Sequence, residues 1–197
     1  RHLARPESRQ AIRERLERVA ADSLALAAIR GHEARVAREF EAAERWFRLA
    51  VATPSPVYRE VTDEIVTMFL VDRYERPILR RSSDLRVFFE RSGMRGSPAD
   101  LAYAFFLAGR TLETRLRRAS LARDPYRASA ELHASPEAAW PLVRMAIWEG
   151  RVEDAEATLF EAERRMPNDP LVENARAFID AFGSIGLGVV LAIRSVG

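Results

Sequence analysis

Three imidazoles, His2, His32 and His133, are the only histidines in the chain. None has a second donor at helical spacing, and Glu33 beside His32 is not a metal motif, because a metal site needs several converging ligands. No metal and no cofactor is expected. Carboxylates are plentiful, but nearly all face an Arg three or four residues away. Glu41 with Arg45, Glu44 with Arg48 and Glu161 with Arg165 read as solvated helix faces, not as acid/base pairs. No Ser sits in a nucleophile elbow, and the absence of Cys excludes both a thiolate site and a disulfide framework. The expectation is a chain that is not an enzyme.

Two segments invite an anion. "GSIGLG", Gly183 to Gly188, has glycines like a phosphate-cradling loop, but it follows a helical pattern, has the wrong spacing and lacks a Lys. Its glycines are expected to break a helix instead. "ERPILRRSSDLR", Glu75 to Arg86, is the densest basic stretch, diluted by Glu75 and Asp84, and reads as a solvated linker.

The elements that would carry any site are set by composition. The chain has 197 residues, 48% hydrophobic and 30% charged, as in a folded protein with a real core. All 31 basic residues are Arg, yet the net charge is only +2. The signs alternate, so no nucleic-acid footprint is expected. The Arg and Ala richness fits a GC-rich, bacterial genome. The chain opens on Arg1, which leads to the expectation of an upstream segment, such as an anchor. The run Ile185 to Ile193 is too short for a bilayer, which takes about 20 residues. Cytoplasmic and membrane-associated locations both stay open.

Ser55-Pro56, Ser97-Pro98, Asp124-Pro125, Ser135-Pro136 and Asp169-Pro170 each precede a helix-compatible stretch, with Ser or Asp suited to cap and Pro suited to the first turn. Between them the apolar period is helical. Ile12, Leu16, Val19, Ser23 and Leu26 share a stripe, with Glu14 and Arg18 outside it. After Gly31 a second helix is expected to reach Ala52, carrying Phe40, Ala43, Phe47 and Ala50. Val57, Val61, Ile65, Met68 and Phe69 make a third. Pro77 should end the following segment, Ser82-Ser83 should cap a short helix closed by Gly93, and Gly109 should turn the Leu101–Ala108 helix into Leu112, Leu116 and Ala119. No strand alternation of useful length appears, so the chain reads as all-α.

The segments ending at Pro125 and Pro167 look alike. Each has a Gly-Arg turn, at Gly109 and Gly150, then an amphipathic helix and a Pro-containing break. An insertion within "YRASAELHA" would account for their wide spacing. Pro136 to Asp169 resembles a tetratricopeptide repeat, a helix pair of about 34 residues. Leu142, Ala155, Ala162 and Pro167 match the family pattern, Leu159 replaces its aromatic, and Gly150 sits in the turn. Ala139 stands at the hallmark Trp position with Trp140 next to it, and Val143 and Ala146 stand where Gly and Tyr are usual. Small residues at 155 and 162 would let two helices approach, with Leu159 filling the space between.

The resemblance implies antiparallel helix pairs stacked as a short α-solenoid. Residues 1–93 would be an N-terminal helical region, and 94–197 the repeats with a C-terminal capping helix. "LVENARAFIDAFG" would be the next first helix and "IGLGVVLAIRSV" its second. The family's first helices line a concave groove that holds a peptide or a partner helix. Carried over, the groove positions are Glu137, Trp140, Arg144, Trp148, Asn174, Phe178 and Phe182, with Trp140 open to a core role as well. The repeat-packing positions are Leu142, Ala146, Gly150, Ala155, Leu159, Ala162 and Pro167. The expected function is a non-catalytic adaptor or assembly subunit within a larger complex. Its partner would lie in the groove, or a subunit would dock on the C-terminal apolar segment. A helical sensor region of a transcriptional regulator and a membrane-tethered assembly factor are the rivals.

Overall fold

Apolar residues at three- and four-residue intervals bury one stripe per helix, and the chain is all-α, with no strand among the described residues. The computed structural model describes residues 11, 12, 14, 24–52, 58–92, 98–133 and 135–194, and only the backbone of Pro136 and 183–194. The helices are α1 (Leu24–Val36), α2 (Phe40–Ala50), α3 (Tyr58–Thr67, extended by a π-helical turn Met68–Asp72) and α4 (Ile78–Arg91). Then come α5 (Pro98–Arg110, extended by a π-helical turn Thr111–Arg115), α6 (Ala119–Leu132), α7 (Pro136–Trp148), α8 (Val152–Arg165) and α9 (Pro170–Arg194). Helices α1 and α2, α6 and α7, α7 and α8, and α8 and α9 pack on one another, and the short turns between them make each pair antiparallel.

One turn geometry recurs. Arg38, Arg117 and Gly150 adopt φ of 64°, 54° and 73°, the left-handed conformation that closes a helix. At Arg38 the amides of Arg38 and Glu39 donate to the carbonyls of Arg35 and Ala34, at 3.0 and 2.9 Å. At Gly150 the amides of Gly150 and Arg151 donate to those of Ile147 and Ala146, at 3.0 and 2.8 Å, in the same pattern. Five, nine and twelve residues after each left-handed residue stands a small, a large and a small side chain: Ala43, Phe47 and Ala50; Ala122, Tyr126 and Ser129; Ala155, Leu159 and Ala162. All nine are buried. Small residues bring the second helix close to the first, and the large residue between them fills the crossing. Leu159 alone contributes roughly 1.5–3 kcal/mol by leaving water.

The first helix answers with little bulk at the same crossing. A Cβ on Gly31 would lie 2.5 Å from the Phe47 ring, and one on Gly109 would lie 2.7 Å from the Tyr126 ring. These glycines are therefore sites of close approach inside helices, not the turns expected from sequence. The turns fall at Arg38 and Arg117, where a residue other than Gly takes the left-handed conformation. Gly109 corresponds in place to Gly31, and Gly150 to Arg117, which corrects the pairing of Gly109 with Gly150.

Other expectations are also corrected. The second helix spans Phe40–Ala50, not Gly31 to Ala52. Pro77 begins α4 rather than ending a helix, and Ser82 and Ser83 lie inside it, the Ser82 hydroxyl donating to the Ile78 carbonyl at 3.0 Å. Pro125 lies inside α6, so Tyr126–Leu132 of "YRASAELHA" continues that helix and is not a separate inserted element. The backbone of α9 runs through Gly183–Gly188 as one helix, so the expected second helix of a last pair is absent. Of the five capping pairs, Asp169 is a true cap, its carboxylate accepting the Leu171 amide at 2.8 Å. Ser135 precedes α7 without a side-chain bond to the helix amides, Oγ turning to Glu137 at 2.8 Å. Pro98 opens α5. Ser55-Pro56, Val57, Gly93 and Ser97 lie outside the described residues, as do Leu16, Arg18, Val19 and Ser23 of the first stripe.

Two compact units divide the chain, Arg1–Leu107 and Ala108–Gly197. The division falls within α5, later than the break at Gly93. The first unit is organised by aromatic contacts, Phe69–Phe88 at 5.4 Å, Phe88–Phe89 at 5.8 Å and Phe89–Phe105 at 6.0 Å between centroids. The second holds a core of Ala139, Val143, Ala146, Ala155, Leu159, Ala162, Val172, Ala175 and Ile179. On α9 the residues Glu173, Ala177 and Asp180 remain exposed beside this buried stripe. Such a polar outer face is what a terminal helix of a stacked array requires.

Candidate functional site

Three of the seven expected groove residues, Trp140 on α7 with Phe178 and Phe182 on α9, are brought together between these two helices. Trp140 is half-buried and meets Phe178 edge-on, with centroids 5.1 Å apart. Phe178 in turn lies 4.4 Å from Phe182, which is 42% exposed. Part of the Trp140 ring thus packs and part faces the surface. Just over two turns further along α7, Trp148 is 64% exposed, the Arg144 guanidinium lying 4.8 Å from its ring centroid. Glu137 and Asn174 are exposed and contribute no aromatic surface.

Arg144, expected as a groove position, is paired within the chain. Its Nη2 donates to Glu113 of the π-helical turn, while its Nε is buried with no partner among the described residues. Glu113 also accepts the Tyr126 hydroxyl at 2.9 Å. Burial, reinforced by that neighbouring carboxylate, pushes the Tyr126 phenol well above its usual range. Glu113 therefore links α5, α6 and α7. Neither Glu113 nor Tyr126 was found from sequence, since an acid in a mixed-charge helix looks like any solvated residue.

The repeat-packing positions divide. Ala146, Ala155, Leu159 and Ala162 are buried, and Gly150 occupies the turn with open space around it. Leu142 is half-buried and lines a cleft of about 380 Å³ among α6, α7 and α8 instead of the core. Pro167 is exposed in the turn before Asn168, whose φ is 65°. That cleft carries Arg123, Arg127, Arg151 and Arg165 against Glu131, Asp154 and Glu161, so it has no single sign of charge. Arg164 and Arg165 hold the Glu161 carboxyl down to about 2 by hydrogen bonds and charge.

In the first unit His32 is engaged structurally. Its Nδ1 lies 2.9 Å from Glu64, which also accepts Arg35 Nε at 2.6 Å, and Arg35 reaches Asp72 as well. Burial alone would raise the Glu64 carboxyl, but His32 and Arg35 outweigh it and hold it below its usual value. No cluster of metal-ligating side chains exists among the described residues. Glu44 and Arg48 pair as expected at 2.8 Å, whereas Glu41 and Arg45 form no pair among the described residues. The segment Glu75–Arg86 is not a linker: most of it is the start of α4, with Asp84 paired to Arg76 and Arg80 at 3.1 Å. No helix among the described residues is long and apolar enough to cross a membrane. The expected docking side chains of Ile185–Ile193 lie outside those described.

No family model, curated protein or solved structure matches this chain.

Proposed function

We propose that this protein is a non-catalytic, tetratricopeptide-like helical-repeat adaptor that binds a partner protein along the α7–α9 face, as an assembly subunit of a larger bacterial complex. The observations that carry the reading are Trp148, 64% exposed and stacked by Arg144, and the Trp140–Phe178–Phe182 ladder between α7 and α9. Large aromatic side chains left in water cost solvation, and together with Arg they are the types that dominate binding hot spots. The recurrent small–large–small crossings support the repeat assignment, since a helix pair of this kind buries its apolar face only by stacking on neighbours.

The test is capture from the native source with tagged native chain and with a Trp148→Ala, Phe182→Ala double variant. The reading predicts partners recovered by the native chain and lost by the variant, at unchanged helicity by circular dichroism. Equal recovery by both would remove the α7–α9 face from consideration.

A further inference from the structure

The π-helical turn Thr111–Arg115 has a counterpart in neither of the other two pairs that share the left-handed turn. After the left-handed residue the next amide donates to the carbonyl five residues back at Glu39 (to Ala34) and Arg151 (to Ala146), but six back at Arg118 (to Leu112, 2.7 Å). One added residue rotates the downstream side chains by about 100° around a helix. π-turns of this kind are frequent at functional sites, because they re-aim a side chain without breaking the rod. The side chain at the middle of this one is Glu113, 13% exposed, with Tyr126 on one oxygen and Arg144 on the other.

The consequence is chemical. A guanidinium beside an exposed indole on a peptide-binding face would ordinarily serve as a carboxylate clamp, through its planar fork. Here a half-buried carboxylate of the same chain, Glu113, already accepts from Nη2 of that fork. The surface still on offer is the Trp148 ring, held by a cation paired within the chain.

We infer that Glu113 is the positioning and specificity-determining residue of the α7–α9 face: by engaging Arg144 it fixes Trp148 and excludes carboxylates, so that the face selects apolar and aromatic side chains of a partner peptide. The inference rests on the proposed function for its partner, and on the Glu113–Arg144–Trp148 geometry for its mechanism.

Fluorine NMR of the full chain carrying 5-fluorotryptophan tests it without any partner. The chain has three Trp, at 46, 140 and 148, assignable by single Trp→Phe substitutions. Glu113→Gln removes the charge that holds Arg144. The expected result is a Trp148 resonance displaced toward that of free 5-fluorotryptophan, with Trp46 unmoved. Titration with succinate should then shift Trp148 in the variant and leave the native chain unchanged. An unmoved Trp148 in Glu113→Gln, or the same succinate response in both proteins, overturns the inference. If Glu113→Gln fails to fold, two further variants decide. Arg144→Met, with Glu113 intact, should displace Trp148, and Tyr126→Phe, which keeps the Arg144–Glu113 pair, should not; the reverse pattern overturns the inference. Failure of the proposed function would look different, with Trp148 responding to Glu113→Gln as expected while no partner is captured at this face.

Discussion

Gly109→Ala is a demanding probe of the packing, because local and tertiary effects have opposite signs. Gly109 is helical, so Ala there gains about 1 kcal/mol of helix propensity. Its Cβ, however, would sit 2.7 Å from Cδ1 and Cε1 and 2.9 Å from Cγ of Tyr126. Carbon contacts settle near 3.5–4.0 Å, so the ring must retreat by roughly 1 Å. Tyr126 is 1% exposed, which places the cost in the range of about 1–3 kcal/mol for overpacking. The retreat also strains the 2.9 Å bond to Glu113, worth about 1 kcal/mol or more because the acceptor is charged. The net expectation is a loss of about 1–3 kcal/mol. Urea unfolding, read through the 5-fluorotryptophan resonances of Trp140 and Trp148, reports the unit that contains Gly109, with Trp46 as the control in the other unit. In a Tyr126→Leu background the same substitution should cost less, since the obstructing ring is gone. A Gly109→Ala chain as stable as the native one would refute the close-approach argument.

Other substitutions separate the remaining forces. Gly150→Ala meets no atom within 4 Å, so its cost is that of the backbone at φ 73°, about 1 kcal/mol in thermal unfolding, and Gly150→Asn should cost less. Leu159→Ala leaves a cavity at a fully buried crossing and should cost about 2–5 kcal/mol by urea titration. Trp148→Ala removes a mostly exposed ring and should change stability by no more than about 0.5 kcal/mol. Glu64→Gln should cost about 1–2 kcal/mol at neutral pH through its bonds to His32 and Arg35. The Glu64 carboxyl is depressed in the folded state, so that stabilisation is complete above the unfolded value near 4.3 and is lost as pH falls through the folded value. The gap between native and variant melting temperatures should therefore narrow in acid.

The sequence makes some levels of this molecule legible and hides others. Helical periodicity and the Ala155–Leu159–Ala162 spacing are local patterns, and they are found where expected. Gly31 and Gly109 mislead because a glycine permits both a turn and a close approach, and only the aromatic on the next helix decides which. Arg38 and Arg117 mislead in the complementary way, since Arg carries no turn preference and is held left-handed by the packing on either side. Pro125 stands inside a helix despite its missing amide. Most of the aromatic face was reachable from Trp140, Arg144, Trp148, Phe178 and Phe182. Glu113 was not, because its role depends on one added residue in a helical turn, which shifts register without altering composition.

The central claim is that this chain binds a partner protein through the α7–α9 face. Phe160 on α8 is 66% exposed, as open as Trp148 at 64%, and lies outside that face. A photoreactive phenylalanine analogue placed at 148 or at 160, and activated in cells of the native source, therefore compares two equally accessible positions. Binding through this face predicts a discrete crosslinked partner from position 148 and none from position 160. Crosslinking from 160 alone, equally from both, or from neither would contradict it.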